Sequence, residues 1–181
     1  MLFYRSRNML RPGKLPFYAK KNEKTNLRFR TWLKIHTDPK ELDEKFLRLH
    51  QELFAGYDCS RCRNCCKHYC GTIPVDEVEK DAAVLGLTET EFRTKYLKEK
   101  PDTDEQAYQT KNMPCDFLQE DGTCLLGDYK PDSCKKYPYT DQPDRMGSLL
   151  SFLESTSVCP VAYEIIERLK KEYGFTSITP V

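Results

Sequence analysis

The feature that most constrains this chain is a run of closely spaced cysteines. Five of its nine cysteines lie within twelve residues in the pattern C-x2-C-x2-C-C-x3-C, formed by Cys59, Cys62, Cys65, Cys66 and Cys70. Two intervening residues let two sulfur atoms reach one ion from a single turn, whose backbone N–H groups also stabilise the thiolates. Because the intervening residues are mostly charged or polar, burial as small apolar side chains does not account for these cysteines. The spacing therefore predicts a thiolate metal centre.

Disulfide bonds are the alternative use of so many cysteines, and the sequence argues against them. The N-terminal segment MLFYRSRNMLRPGK is broken by charges and contains no apolar stretch of the secretory kind. An odd number of cysteines also fits a closed disulfide framework poorly. The most apolar run, residues 149–153, is far shorter than the roughly 20 residues of a membrane span. We therefore expect a soluble, cytoplasmic protein with reduced thiols and no membrane partner.

Charge is unevenly distributed along the chain. Residues 1–36 hold ten Lys or Arg and one acidic residue, a net charge of +9, whereas the rest holds 19 basic and 27 acidic side chains. We therefore predict a basic N-terminal arm over residues 1–36. One interpretation is that it binds RNA or an acidic protein, with aromatic side chains available for stacking: Phe17, Tyr18, Phe29 and Trp32. The favoured interpretation is an arm that lies on its own acidic body or stays solvated.

Local signals predict several short elements. Up to about Lys24 there is no sustained periodicity, which indicates an extended arm or irregular cover. Capping and periodicity then predict four helices: from Pro39 to about Gly56, from Val75 to Leu85, from Thr88 to about Leu97, and from Pro160 to about Gly174. Residues 101–112 resemble a polar connector that leads into a strand. Residues 115–139 are turn-rich, with a tight turn at Asp121–Gly122 and a helical turn around Cys134.

A second group of cysteines follows the first at wider spacing. It comprises Cys115, Cys124 and Cys134, with Cys159 further along the chain. Placed around the Asp121–Gly122 turn, these sulfur atoms are able to converge on the first cluster. His68 also lies within reach of a metal, although a lone histidine in a basic loop is more often solvated.

The cysteine-containing segments resemble those of a known family. CSRCRNCC at Cys59, CDFL at Cys115 and CLLGDYKPDSCKKYPY at Cys124 are similar to the YkgJ-type cysteine-cluster family of zinc- or iron-chelating domains. The resemblance covers about residues 57–139. Gly127 replaces the family's usual aromatic residue, and Lys130 replaces its usual Arg before Pro131. The resemblance implies seven ligands: Cys59, Cys62, Cys65, Cys66, Cys115, Cys124 and Cys134. The sequence itself adds Cys70 and Cys159 as further candidates.

All-sulfur ligation excludes calcium and magnesium and leaves Zn²⁺ or an iron-sulfur cluster, of the 4Fe-4S kind for example. The spacing does not choose between them. Three functions stay open at this point. The first is a metal-binding module in which the site is chiefly structural or holds metal for transfer. The second is an iron-sulfur enzyme, because the family is also similar to flagellin lysine N-methylases, which use S-adenosylmethionine. The third is an RNA-associated protein that binds through the basic arm.

These observations predict an α-rich, loop-rich fold with a small α+β character. We expect a single cysteine-cluster domain over residues 37–175, organised around one or two metal sites, with a short hairpin near residues 107–126. Cys65 and Cys66 are adjacent, and neighbouring side chains diverge by about 100° on a helix. We therefore predict that the two sulfurs serve different roles. Cys59, Cys62 and Cys65 form the nucleus of one site, Cys66 joins Cys115, Cys124 and Cys134 in the other, and Cys70 and Cys159 complete or shield the two sites. The alternative is a single site with Cys66 as a buried thiol.

Overall fold

A computed structural model describes residues 9–99 and 107–180 of the chain. Helices predominate in these residues, and three short strands accompany them. The helices are α1 (Leu15–His36), α2 (Pro39–Phe54), α3 (Cys59–Cys62), α4 (Asn64–His68), α5 (Val75–Val84), α6 (Glu89–Tyr96), α7 (Asp132–Lys136), α8 (Arg145–Ser155) and α9 (Pro160–Glu172). The strands are β1 (Thr72–Pro74), β2 (Leu97–Glu99) and β3 (Ala107–Thr110). The predicted fold class, α-rich and loop-rich with a small β component in one domain, is confirmed.

Within this domain the chain forms two compact units. Among the described residues, unit 1 combines residues 9–58 with residues 138–180, and unit 2 comprises residues 59–99 and 107–137. In unit 1 the helices α1, α2, α8 and α9 contact one another. Their shared core contains fully buried side chains from several helices, among them Phe29, Leu33, Leu42, Phe46, Leu49, Ile165 and Leu169. Phe46 meets Phe152 edge-on, with ring centroids 4.9 Å apart.

Unit 2 combines the small sheet with two helices. The strand order is β1-β3-β2, and both pairings are antiparallel. Ile73 pairs with Tyr108, and Leu97 pairs with Thr110. A hydrophobic cluster joins the sheet to α5 and α6 and to the loop after β3: Ile73, Val78, Ala82, Phe92, Leu97, Phe117 and Leu126. Phe92 and Phe117 stack with their centroids 5.8 Å apart, so this loop, which follows Cys115, is anchored to the core.

The four helices predicted from capping signals are confirmed. The carboxylate of Asp38 accepts hydrogen bonds from the backbone N–H groups of Lys40 and Glu41 at the start of α2. Thr88 and Glu91 form the reciprocal capping box that begins α6. The helical turn around Cys134 is also present, as α7. These elements were predictable because their end signals are local.

Other predictions need correction. The irregular arm predicted up to Lys24 is wrong from Leu15 onward, because α1 begins there and buries Leu15 completely. The predicted connector at residues 101–106 lies outside the described residues. The predicted hairpin is limited to a bridge between Leu118 and Cys124 across the Asp121–Gly122 turn, since β3 pairs with β1 and β2 instead. The predicted arm ends where α1 ends, at His36, and its separate role stays a prediction.

Candidate metal centre

Two short helical turns present the first cysteine cluster. Cys59 and Cys62 begin and end α3, and α4 carries Cys65 and Cys66. Between them Arg63 adopts a left-handed backbone conformation (φ 49°), which reverses the chain direction in one residue. The Arg63 side chain donates a hydrogen bond from Nε to the Ser60 carbonyl at 2.9 Å, which ties the reversal to α3.

Four cysteines from distant parts of unit 2 line one small cavity. Its volume is about 30 Å³, and its walls include Cys66, Cys115, Cys124 and Cys134. All four sulfur-bearing side chains are half-buried. This is the set that the sequence analysis expected to converge. Its members therefore share one space, although three strands, two helices and a turn separate the first from the last along the chain.

Backbone hydrogen bonds hold the second group of cysteines against the first. The Cys115 N–H donates to the Cys66 carbonyl at 2.8 Å, which joins the loop after β3 directly to α4. Cys124 lies on the far side of the Asp121–Gly122 turn, opposite Leu118. Gly122 occupies a left-handed conformation there (φ 84°), in which a side chain would be strained. The turn thereby returns the chain to the cavity.

Gly71 and Thr110 form a tight wall of the cavity beside Cys134. The Gly71 N–H donates to the Thr110 hydroxyl at 3.0 Å, and the Thr110 N–H donates to the Gly71 carbonyl at 2.9 Å. A Cβ atom on Gly71 would lie only 3.2 Å from the Cys134 Sγ atom. The absence of a side chain at position 71 therefore leaves room for the Cys134 sulfur.

The adjacent cysteines of α4 are electrostatically coupled. The Cys65 and Cys66 sulfur atoms lie 4.0 Å apart. A hydrogen bond from Cys65 lowers the pKa of Cys66 to about 6, against burial, and the nearby cations of Lys130 and Arg63 lower it further. The same hydrogen bond, followed by burial, raises the pKa of Cys65. One thiolate next to one thiol is therefore the favoured state of this pair without metal.

The 4.0 Å separation also bears on the predicted roles of Cys65 and Cys66. Two sulfur ligands on one tetrahedral zinc ion lie about 3.8 Å apart when each Zn–S bond is about 2.3 Å. The prediction that Cys65 and Cys66 serve different roles rests on the diverging directions of neighbouring side chains. That argument is weakened, because the two sulfur atoms lie nearly as close together as two ligands of one zinc ion. The assignment of the pair to different roles stays a prediction.

Burial dominates the titration of the other cavity thiols. It raises the pKa of Cys115 to about 11 and also raises that of Cys134. For Cys134 the hydrogen bond from Ser133 and the cation of Lys130 act in the opposite direction. Lys130 thus favours the thiolate form of Cys65, Cys66 and Cys134. It stands where the resembling family has Arg, so the positive charge at this position is retained.

The remaining candidate ligands lie off the cavity wall. Cys59 is exposed, and Cys62 and Cys70 are half-buried on either side of α4. Cys159 belongs to unit 1, where it is buried immediately before α9. The His68 side chain is exposed and is not among the cavity-lining residues. The structure therefore brings together four of the nine predicted ligands, with Cys65 as a close neighbour of the group.

The cysteine side chains are not arranged as the ligands of one metal ion are. In residues 9–99 and 107–180, no three Cys, His, Asp or Glu side chains form a group that is ready to hold a metal. The four cavity cysteines nevertheless offer the soft donor set that zinc and iron prefer.

Comparison with known proteins agrees with this donor set. A family model for CxxCxxCC, described as a putative zinc- or iron-chelating domain, matches residues 58–160. The chain belongs to the CxxCxxCC family. The match includes all nine cysteines and extends from just before α3 to the first residue of α9. No curated protein and no solved structure gave a significant match.

The description of the CxxCxxCC family supports metal binding as the function of residues 58–160, with zinc or iron as the metal. Among the helices of the described segments, none is both long and apolar enough to span a bilayer. The sequence analysis missed Gly71 and Thr110, which both line the cavity. A glycine directly after Cys70 was the one local signal for this pair, because Thr110 reaches the cavity through sheet pairing. Phe117, which also lines the cavity, lies within the CDFL motif at Cys115.

Proposed function

We propose that this CxxCxxCC protein binds a zinc ion through Cys66, Cys115, Cys124 and Cys134, and that the ion stabilises unit 2. The observation that carries the proposal is the shared cavity of these four cysteines. They come from α4, from the loop after β3, from the Asp121–Gly122 turn and from α7. One ion therefore cross-links four segments that local structure does not join. Structural zinc sites contribute directly to folding in this way.

The close packing around the cavity favours a single ion. The Cys115 N–H donates to the Cys66 carbonyl at 2.8 Å, which holds the loop after β3 against α4. A zinc ion adds one atom between the four sulfur atoms, whereas a cubane cluster adds four iron and four sulfide atoms and is the bulkier group.

Local charge also supports a thiolate-bound ion. Four thiolates and one Zn²⁺ carry a net charge of −2, which is costly to bury without nearby positive charge. Lys130 and Arg63 both line the cavity and supply that charge. A closed four-sulfur site leaves no open coordination position for a substrate, so the chemistry supports a structural role or metal storage rather than catalysis at the zinc ion.

The other cysteines of the first cluster allow a second site. Cys59, Cys62, Cys65 and Cys70 make a second set of four, and Cys159 is then the remaining cysteine. The C-x2-C spacing on α3 is typical of one half of a zinc site. We retain this second site as part of the proposal, with Cys70 chosen as its fourth ligand because Cys159 lies in unit 1.

Metal analysis of protein purified without oxygen tests the proposal. We expect a colourless protein that contains zinc and lacks acid-labile sulfide. Cys66→Ser should lose the cavity ion, whereas the matched control Cys159→Ser, in unit 1, should retain the full zinc content. A brown protein with iron and sulfide would exclude zinc as the native metal. Retention of all zinc by Cys66→Ser would exclude the cavity as the site.

Single and double variants distinguish one site from two. With two sites, Cys59→Ser and Cys66→Ser should each lose one zinc, and the double variant should lose both. With one shared site, the double variant should lose no more zinc than Cys66→Ser alone. A wild-type protein with one zinc per chain would likewise exclude the second site.

A further inference from the structure

Helix α1 exposes a row of cations that the metal centre does not use. Five basic side chains are exposed on one side of the helix: Lys20, Lys21, Lys24, Arg28 and Lys34. At 100° per residue they fall within an arc of about 140°, and they extend along about 21 Å of the helix axis. The opposite side holds Leu15, Phe29 and Leu33, which are fully buried in the core of unit 1. We call the exposed side the basic face of α1.

Few groups neutralise this face in the described part of the chain. Lys20 pairs with Glu23 at 2.6 Å, and Arg28 donates to the carbonyls of Ser177 and Thr179 near the C-terminus. For Lys21, Lys24 and Lys34 the described residues provide neither an ion pair nor a side-chain hydrogen bond. The favoured interpretation from the sequence is an arm that lies on an acidic body or stays solvated. Within residues 9–99 and 107–180 these three lysines do not lie on an acidic body, and they are exposed to solvent.

The spacing of the cations is unfavourable for the helix itself. Lys20, Lys24 and Arg28 follow one another at intervals of four residues, and like charges at this spacing destabilise a helix. The first turn of α1 also contains no acidic residue to complement the helix dipole. A solvated surface helix gains from alternating charge signs, which this face lacks. An anionic partner would remove the repulsion.

Exposed apolar side chains lie among the cations. Phe17 is 68% exposed and Ile35 is 62% exposed. The two residues are 18 positions apart, which is five helical turns, so they lie on the same line along the helix. Of the four aromatic residues that the sequence offered for stacking, Phe29 is buried and Trp32 packs against Tyr173 and Phe175. Phe17 is the one that remains largely exposed.

We propose that the basic face of α1 binds single-stranded nucleic acid, with the lysines on phosphates and Phe17 stacked on a base. A row of cations next to an exposed aromatic ring is the arrangement that single strands require. A membrane surface fits less well, because the apolar side of α1 is committed to the core and only isolated apolar residues are left outside. This binding is separate from the proposed zinc site, since every cavity residue lies in unit 2.

The test measures fluorescence anisotropy of a labelled uridine oligomer of about 16 nucleotides with the full, zinc-loaded chain. The variant K21Q/K24Q/K34Q should bind at least tenfold more weakly than wild type. Each neutralised phosphate contributes about 0.7 to the slope of log K against log salt for single strands, so this slope should decrease by about 2. The matched control K40Q/K98Q/K171Q removes the same charge at exposed lysines elsewhere and should retain wild-type affinity and slope.

A second variant separates stacking from charge. Phe17→Ala should weaken binding of the single strand at least fivefold while leaving the salt slope unchanged, because stacking releases no counterions. Circular dichroism and zinc content should be the same for all variants. An equal loss of affinity in both triple variants would overturn the proposal, because it would indicate that binding depends only on the net charge of the protein. Tighter binding to vesicles that contain phosphatidylserine, or no binding of the oligomer, would also overturn it.

Discussion

Gly71 illustrates how one residue controls the position of a metal ligand. Its missing Cβ atom would lie 3.2 Å from the Cys134 sulfur and 3.6 Å from the Thr110 methyl group. Gly71→Ala should displace the Cys134 side chain by a few tenths of an ångström and weaken zinc binding about tenfold, as loss of a supporting contact does at other metal sites. Competition with a chromophoric chelator measures this change.

The control for this substitution is Gly13→Ala. A Cβ atom at Gly13 would meet no atom within 4 Å, and Gly13 lies in unit 1. Its zinc affinity should equal that of the wild type. Wild-type affinity in Gly71→Ala would show that Cys134 does not need its present position to bind the ion.

The positive charge of Lys130 acts electrostatically on three of the cysteine thiols. It lowers the pKa of Cys65, Cys66 and Cys134. We expect Lys130→Met to weaken zinc binding at pH 7 by about tenfold, because zinc binds the deprotonated sulfur. Lys130→Arg should retain wild-type affinity, and so should the control Lys98→Met at an exposed position. Equal affinities of the Met and Arg variants would contradict a role for the charge.

Asp81 on α5 is a buried carboxylate without a compensating partner. Its side chain is fully buried, and neither carboxylate oxygen has a hydrogen bond in the described structure. Burial raises the pKa of Asp81 to about 6, against its ordinary 3.8, and Lys80 and Lys135 only partly offset this. The folded state therefore binds a proton more tightly than the unfolded state, so Asp81 destabilises the protein increasingly as pH rises from about 4 to about 6, and the full destabilisation is present above pH 6.

Removing this charge should stabilise the protein at neutral pH. We expect Asp81→Asn to raise the free energy of unfolding by about 3 kcal/mol at pH 8, since the pKa is raised by about two units and each unit corresponds to about 1.4 kcal/mol. The gain should shrink below pH 6 and vanish below about pH 4, where Asp81 is protonated in both states. Urea unfolding at several pH values measures it, with Glu79→Gln on the exposed side of α5 as the control. A gain that does not depend on pH would contradict the argument.

At the scale of elements, the metal-binding segments of unit 2 have little regular structure of their own. The segments at residues 59–71 and 113–136 consist of short helical turns and loops, and the buried apolar cluster of unit 2 draws mainly on β1, α5, α6 and β2. Small cores of this kind commonly need a metal or disulfide to be stable. The four helices of unit 1, in contrast, share an extensive core of their own.

Chelation of the metal should therefore affect the two units differently. Hydrogen exchange of the chelated protein should show loss of protection between Cys59 and Cys134, whereas α2 and α9 in unit 1 should keep theirs. Binding energy at such sites is folding energy, so readdition of zinc should restore protection. Unchanged protection between Cys59 and Cys134 after complete chelation would show that the metal does not hold these segments.

At the scale of the whole molecule, α1 alters the expected effect of an N-terminal truncation. The segment 1–24 contains no cysteine or histidine, so its deletion should leave the zinc content unchanged. The deletion also removes the fully buried Leu15 and the hydrogen bond from Asn22 to the Tyr163 hydroxyl. Loss of a buried Leu alone costs about 2–5 kcal/mol, so calorimetry should show a lower melting temperature. Loss of zinc on truncation would show that this segment also supports the metal centre.

The sequence by itself determined the features that depend on neighbours along the chain. The caps at Asp38 and Thr88 predicted the starts of α2 and α6, and the cysteine spacing predicted thiolate chemistry, because both signals operate over three or four residues. Helix α1 was not predicted, because it lacks such a local signal. Its buried positions are few and include the polar Asn26, so its periodicity is weak, and its helical state depends on packing in unit 1.

Only the tertiary structure decided which cysteines meet. Sequence spacing treated Cys115, Cys124 and Cys134 as able to converge but gave no distances. Their common cavity arises because β3 pairs between β1 and β2, Phe117 stacks on Phe92, and the Cys115 N–H binds the Cys66 carbonyl. It is these long-range contacts that place Gly71, Thr110 and Lys130 around the sulfur atoms. Such contacts join residues that are far apart in the chain, and so no local pattern records them.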